Sequence, residues 1–254
     1  MIQNPDSVLA TRVLPSPNFG ARKDAKLITC VILHYTGMTS ADAALAWLCN
    51  PDSQVSCHYL IYEDGQVVQM VREVDRAWHA GRGIWHGETD LNSVSIGIEI
   101  ANRGHEASDP AKPCPEFPKP QIDSVIALAR DIATRHHMAP DRILAHSDIA
   151  PRRKIDPGER FPWMQLAEHG LGVWVQPAAI QGGRFFTKGD HGKPIAAFQA
   201  MLALLGFGVP QGGHFDEETE FVVKAFQRHY RPERIDGVAD VSTIETLRDL
   251  LKAR

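Results

Sequence analysis

The chain has 254 residues, 43% of them hydrophobic and 23% charged, with a formal charge of -4. That length and mix predict one large or two unequal globular domains and exclude wholesale disorder. No apolar run reaches the roughly 20 residues of a membrane span, and the acidic balance gives no basic face for nucleic acid.

Residues 1 to 24, with Pro5, Pro15, Pro17 and Gly20, read as an extended lead-in without an element. The opening stretch also lacks the charged and apolar regions of a secretory signal, which points to the cytoplasm. Leu27 to Leu33 reads as a buried strand running into His34, Tyr35 and Thr36. A helix follows over ADAALAWLC, capped by Ser40 or Asp42 and stopped at Asn50-Pro51-Asp52. His58 to Tyr62 and Val67 to Val71 flank a Glu63-Asp64-Gly65 turn and predict a hairpin. Val94 to Ile100 is a second apolar strand, and it carries Glu99. Residues 104–120 are a Pro-rich loop. Pro120 to His137 has apolar positions at 122, 125, 126 and 129, the stripe of an amphipathic helix. Arg142 to Ala145 is a short strand leading into His146. Strands alternating with helices predict an α/β domain with a central sheet flanked by helices.

Composition changes after Trp174. Gln176 to Gly189 is rich in Gly, Gln and Pro, as a linker is. Three helical stretches follow: IAAFQAMLALLGF, FDEETEFVVKAFQRHY with Asp216 as its cap, and VSTIETLRDLL with Ser242 and Glu245 as a capping box. Phe215-x-x-x-Thr219 and Ala239-x-x-x-Thr243 begin two of them alike, a weak internal repeat. The expected division is 1–175, a linker over 176–188, and a three-helix module over 189–254.

Four cysteines, Cys30, Cys49, Cys57 and Cys114, form no C-x-x-C pair. A thiolate zinc ribbon is thereby excluded, and the thiols read as reduced and mostly buried. A bound metal would depend on the 12 histidines and on carboxylates. His34 and His146 each sit where a strand leaves the sheet, and Asp156 precedes Pro157-Gly158 in a constrained loop. Two imidazoles and a carboxylate suit zinc and leave a fourth position for water. The same residues also read as hydrogen-bonded strand ends and a turn-forming Asp. Glu99, between Ile98 and Ile100, is either a general base in a cleft or the partner of Arg152, Arg153 or Lys154. Lys154 lies two residues before Asp156, placed to steady an oxyanion or simply to extend a solvated basic run.

LHYTG at 33–37, CHYLIYEDGQVVQMV at 57–71, RAWHAG at 76–81, LNSVSIGIEI at 91–100 and AHSDIAPRRKIDPGERFPW at 145–163 together resemble the zinc-dependent N-acetylmuramoyl-L-alanine amidases. These type-2 amidases share their fold with peptidoglycan recognition proteins. The resemblance covers roughly residues 24–170. It implies a mixed sheet flanked by helices, one Zn2+ per chain on His34, His146 and Asp156, and a catalytic Glu99 assisted by Lys154. It places Trp78 and His79 beside the substrate groove; Asn92 is a further candidate for contact with substrate amides. Residues 189–254 resemble the three-helix peptidoglycan-binding domains, with Gly212-Gly213-His214 where an Asp-Gly is common. The implied reaction is hydrolysis of the amide between N-acetylmuramic acid and L-alanine, in peptidoglycan or in anhydro-muropeptides. A non-catalytic recognition protein on the same fold is the alternative. The implied binding module favours the cell envelope over the cytoplasm, because a tether serves a polymer better than a soluble fragment.

Overall fold

A computed structural model describes residues 4–106 and 112–254. In chain order the elements are β1 (Arg12–Val13), β2 (Phe19–Ala21), β3 (Cys30–Tyr35), α1 (Ala41–Leu48), β4 (Tyr59–Ile61), β5 (Val67–Gln69), β6 (Asp75–Ala77), α2 (Leu91–Val94), β7 (Ser95–Ile100), α3 (Lys119–Arg135), β8 (Ile143–Ala145), α4 (His146–Ile149), α5 (Trp163–Glu168), α6 (Lys193–Leu205), α7 (Glu217–Tyr230) and α8 (Val241–Lys252). Six strands form one sheet in the order β1-β5-β4-β7-β3-β8; β2 and β6 pair separately. The stretch β4-β7-β3-β8 is parallel throughout, and the β4–β5 hairpin and β1 extend it on one side.

The parallel strands are continuous apolar runs because both faces of the sheet are covered. Val31, Ile32 and Leu33 of β3 and Ile96, Ile98 and Ile100 of β7 are fully buried. Helix α3 covers part of the sheet with Ile122, Val125, Ile126 and Ile132. Burial of each such side chain is worth about 2 kcal/mol gross. Helix α1 is capped by Ser40, whose hydroxyl accepts from Ala43 N.

Three expectations need correction. The lead-in is not free of structure: it contributes β1 and β2, through pairing partners more than fifty residues away. Strand β3 starts at Cys30 and runs through Tyr35, so His34 lies inside the ladder, held by pairing with β7. Helix α8 is capped by Asp240, which accepts from Thr243 N at 2.8 Å; the Ser242 hydroxyl instead donates to the Ala178 carbonyl.

The chain divides into two compact units that are not consecutive blocks. One comprises residues 1–81, 90–145 and 156–172, and the other 82–89, 146–155 and 173–254. The second unit is built on an internal repeat fuller than the sequence reading expected. Gln199 of Ala197-Phe198-Gln199 takes Gly213 N on its carbonyl and donates to the His214 carbonyl and the Thr219 hydroxyl. Gln227 of Ala225-Phe226-Gln227 does the same with Gly237 N, the Val238 carbonyl and the Thr243 hydroxyl. Asp216 and Asp240 then cap the following helices identically, each binding the N–H and hydroxyl of a Thr three residues on. Within this unit Trp85 packs edge-on against Phe207, and buried Asp148 accepts from His229 Nδ1 at 2.8 Å.

Candidate metal centre and active site

Open parallel sheets place their ligands beyond the carboxyl ends of the strands. Here those ends carry the polar residues. His34 and Glu99 are direct register partners on β3 and β7, so their side chains leave the same face of adjacent strands. Leu33 pairs with Ala145 at the end of β8, and His146 is the next residue. The Asp156 loop completes the group. His34, His146 and Asp156 each offer one ligand atom, all within 4.8 Å of one another, and all three residues are buried, at 2%, 2% and 6% exposure. Two imidazoles and a carboxylate, buried and convergent, match the donor set of a divalent ion with an open position. His34 Nδ1 lies 3.2 Å from Asp156 Oδ2.

The Asp156–Pro157 peptide is cis, and Gly158 beyond it has φ of 93°. A Cβ on Gly158 would lie 2.6 Å from Cys114 Sγ, so only glycine fits the turn that follows Asp156. A second convergent group, His105, Cys114 and Glu159, flanks the same loop. There His105 Nε2 pairs with Glu159 Oε2 at 2.8 Å. Burial first, then the Glu159 charge, push the Cys114 thiol up to about 11. A thiol that stays protonated is a poor ligand, and the group reads as a polar tie between two loops.

Glu99 is half-buried at the end of β7, and Lys154 is half-buried in the loop before Asp156. The thiol of Cys57, which is fully buried, is held well above its ordinary pKa by burial and by the charge of Glu99. His79 is half-buried, with Nδ1 3.0 Å from His34 Nε2 and Nε2 3.2 Å from the Ser95 hydroxyl. Asn92 is buried, and its carbonyl oxygen accepts the backbone N–H groups of His79 and Ala80 at 3.0 and 2.8 Å. Trp78 is half-buried, with its backbone N–H bonded to the Ser56 hydroxyl.

His58 is a buried neutral ring. Burial and then the Arg22 charge depress its pKa to about 3. Its Nδ1 accepts from Gly97 N, and the Asp75 carbonyl lies 3.2 Å from its Nε2. Sequence reasoning did not single out Ser95 or Arg22. Arg22 donates to the backbone carbonyls of Glu73, Asn92 and Ser95, fixing the start of β7. An arginine inside a Pro-rich lead-in carries no signal of such a role.

Residues 24–159 match the family model described as N-acetylmuramoyl-L-alanine amidase. The chain belongs to that family. Residues 191–247 of this amidase match a peptidoglycan binding domain. The chain is 40% identical over 227 residues to the N-acetylmuramoyl-L-alanine amidase AmiD of Escherichia coli K12, covering 85% of this chain and 79% of AmiD. It is 31% identical to the 1,6-anhydro-N-acetylmuramyl-L-alanine amidase AmpD of Enterobacter cloacae, over 61% of this chain and 87% of that one. Among solved structures, E. coli AmiD in complex with anhydro-N-acetylmuramic acid-L-Ala-D-gamma-Glu-L-Lys superposes with a TM-score of 0.76 at 38% identity, covering 91% of each chain. AmpDh3 of Pseudomonas aeruginosa gives 0.73 at 28% identity, over 99% of this chain and 98% of that one. No helix among the described residues is long and apolar enough to cross a membrane.

Proposed function

We propose that this amidase holds one zinc ion on His34, His146 and Asp156 and cleaves the amide between the lactyl carbonyl of N-acetylmuramic acid and L-alanine, in peptidoglycan and in anhydro-muropeptides. The observation that carries the reading is the register of β3 and β7, which sets Glu99 beside His34 on one sheet face, in a chain whose His34, His146 and Asp156 converge. The soluble substrate is supported by AmiD, solved with an anhydro-muropeptide bound.

Zinc bound there supplies Lewis acidity towards a water molecule and the scissile carbonyl. Glu99 removes a proton from the attacking water as its oxygen bonds to the carbonyl carbon. It then delivers that proton to the alanine nitrogen as the C–N bond breaks. Lys154 supplies positive charge where the carbonyl oxygen becomes an oxyanion. Trp78 offers an indole face to the sugar or peptide. The ring nitrogens of His79 face His34 and Ser95, and Asn92 Oδ1 holds the backbone of His79 and Ala80, so we assign both residues to the wall behind His34 rather than to substrate contact.

In this reading residues 1–175 form the catalytic domain, 176–188 a linker and 189–254 the peptidoglycan-binding domain. The match to a peptidoglycan binding domain and the AmiD relationship suggest a cell-envelope location, and we place the enzyme there, on the polymer. Reaction of purified protein with a muropeptide, followed by mass spectrometry, tests the bond cleaved. Release of the free stem peptide starting at L-alanine is expected; products cut elsewhere would contradict the assignment.

A further inference from the structure

Behind His34 runs a line of hydrogen bonds whose direction is fixed at its far end. The Leu91 carbonyl can only accept, and the Ser95 hydroxyl lies 2.5 Å from it. Ser95 has one proton and spends it there. Its oxygen must then accept from His79 Nε2–H, 3.2 Å away. In its neutral form the His79 ring carries one N–H, and Nδ1, 3.0 Å from His34 Nε2, then accepts from His34 Nε2–H. In the neutral form that a metal ligand needs, His34 then carries its proton on Nε2, and Nδ1 faces the Asp156 carboxylate oxygen at 3.2 Å. Two lone pairs at that distance repel unless a cation sits with them.

We propose that Ser95 and His79 are positioning residues that fix the tautomer and ring orientation of His34 for the metal. This rests on the zinc reading given above.

The rest of the surroundings serves the same line. The His79 ring fills the space a side chain at 97 would need: a Cβ on Gly97 would lie 2.5 Å from His79 Cγ. His58 stands edge-on to His79, with ring centroids 5.7 Å apart, and is itself held by Gly97 N. Asn92 holds the backbone of His79. Arg22 holds the Ser95 carbonyl at 3.0 Å. A ring confined on these sides has one orientation from which to accept the His34 proton. Outer partners of this kind commonly change metal affinity about 10–100-fold when removed.

The test is zinc affinity, measured by competition with a chelator on the full chain, for wild type, Ser95→Ala and His79→Ala. Ser95→Ala removes a single buried oxygen, and thermal unfolding of each metal-free variant, measured alongside, separates lost stability from lost metal affinity. Zinc binding weaker by about 10–100-fold in the Ser95 and His79 variants is expected. Wild-type affinity in both would overturn the proposal. The second readout is nitrogen-15 NMR of histidine-labelled, zinc-loaded wild type, which needs no variant. It should show His34 and His79 each protonated at Nε2. A His34 protonated at Nδ1 would overturn the relay even if zinc is bound. A wild-type protein that takes up no zinc would instead sink the metal assignment itself.

Discussion

The role proposed for Glu99 rests on position more than on type. Glu99 pairs with His34 across a parallel ladder, so the two side chains cannot be separated without breaking β3 from β7. Replacing Glu99 with Gln should lower kcat by about 10²–10⁴, the usual worth of a general acid–base group. Zinc content should stay at the wild-type level; a variant with near-normal turnover would remove Glu99 from the mechanism. Lys154→Ala should lower kcat by about 10²–10³ with KM changed less, as loss of an oxyanion donor does. A change confined to KM would make Lys154 a binding residue. His34, His146, Asp156 and Glu99 stand out in the sequence because each breaks its surroundings: a carboxylate in an apolar strand, histidines at strand ends, an Asp before Pro-Gly; Lys154, inside a basic run, stands out only through the family resemblance. Gly97 and Ser95 were illegible as functional residues. Their task is to accommodate and orient a ring at position 79, and no local pattern encodes contact across that separation.

Elements tell the same story with different boundaries. The apolar runs of β3 and β7 and the stripe of α3 were readable because burial on a periodic face leaves a periodic trace. The ends were not: pairing with β7 carries β3 past Leu33 to Tyr35, and Asp240 displaces Ser242 as the cap of α8. Also hidden was the clasp between α3 and the segment after β5. Glu73 is 3% exposed and accepts from Arg135, His136 and the Tyr59 hydroxyl. Burial alone would raise its pKa, but hydrogen bonds from Arg135, His136 and Tyr59 outweigh it and leave it at about 2. A carboxylate depressed in the folded state stabilises at pH values above its unfolded pKa, and that contribution is lost as pH falls from about 4.5 towards 2. His58, neutral when folded and a proton acceptor when unfolded, adds a loss that begins nearer pH 6.5. Glu73→Gln should therefore cost about 3 kcal/mol at neutral pH and flatten the acid limb of the stability curve. Denaturant titrations from pH 7 to pH 3 check both. A variant that loses stability in parallel with wild type on acidification would show that Glu73 does not drive the acid limb.

At the scale of the whole molecule, the second compact unit changes what a truncation means. Residues 82–89 and 146–155 belong to it together with 173–254. Trp85 rests on Phe207, and buried Asp148 pairs with His229. A chain ending at Gly172 would expose the indole and leave the Asp148 carboxylate without that imidazole, two residues from His146. Such a chain should melt about 10 °C or more below the full protein, since roughly 1 kcal/mol moves a protein of this size by 2–4 °C. Its activity on sacculi and on soluble muropeptides should fall together. A truncated chain with full stability and a selective loss on sacculi would mean that the module acts as a tether alone. Composition and a Gly/Pro-rich stretch revealed that a second module exists; that it packs with segments from earlier in the chain depends on contacts no linear pattern records. The account as a whole turns on a metal. The most direct measurement is the metal content of the purified protein, coupled to cleavage of an anhydro-muropeptide before chelation, after it, and after zinc is restored. One zinc per chain, activity abolished by the chelator and recovered with zinc is the predicted result. Metal-free protein that cleaves at an undiminished rate would contradict it.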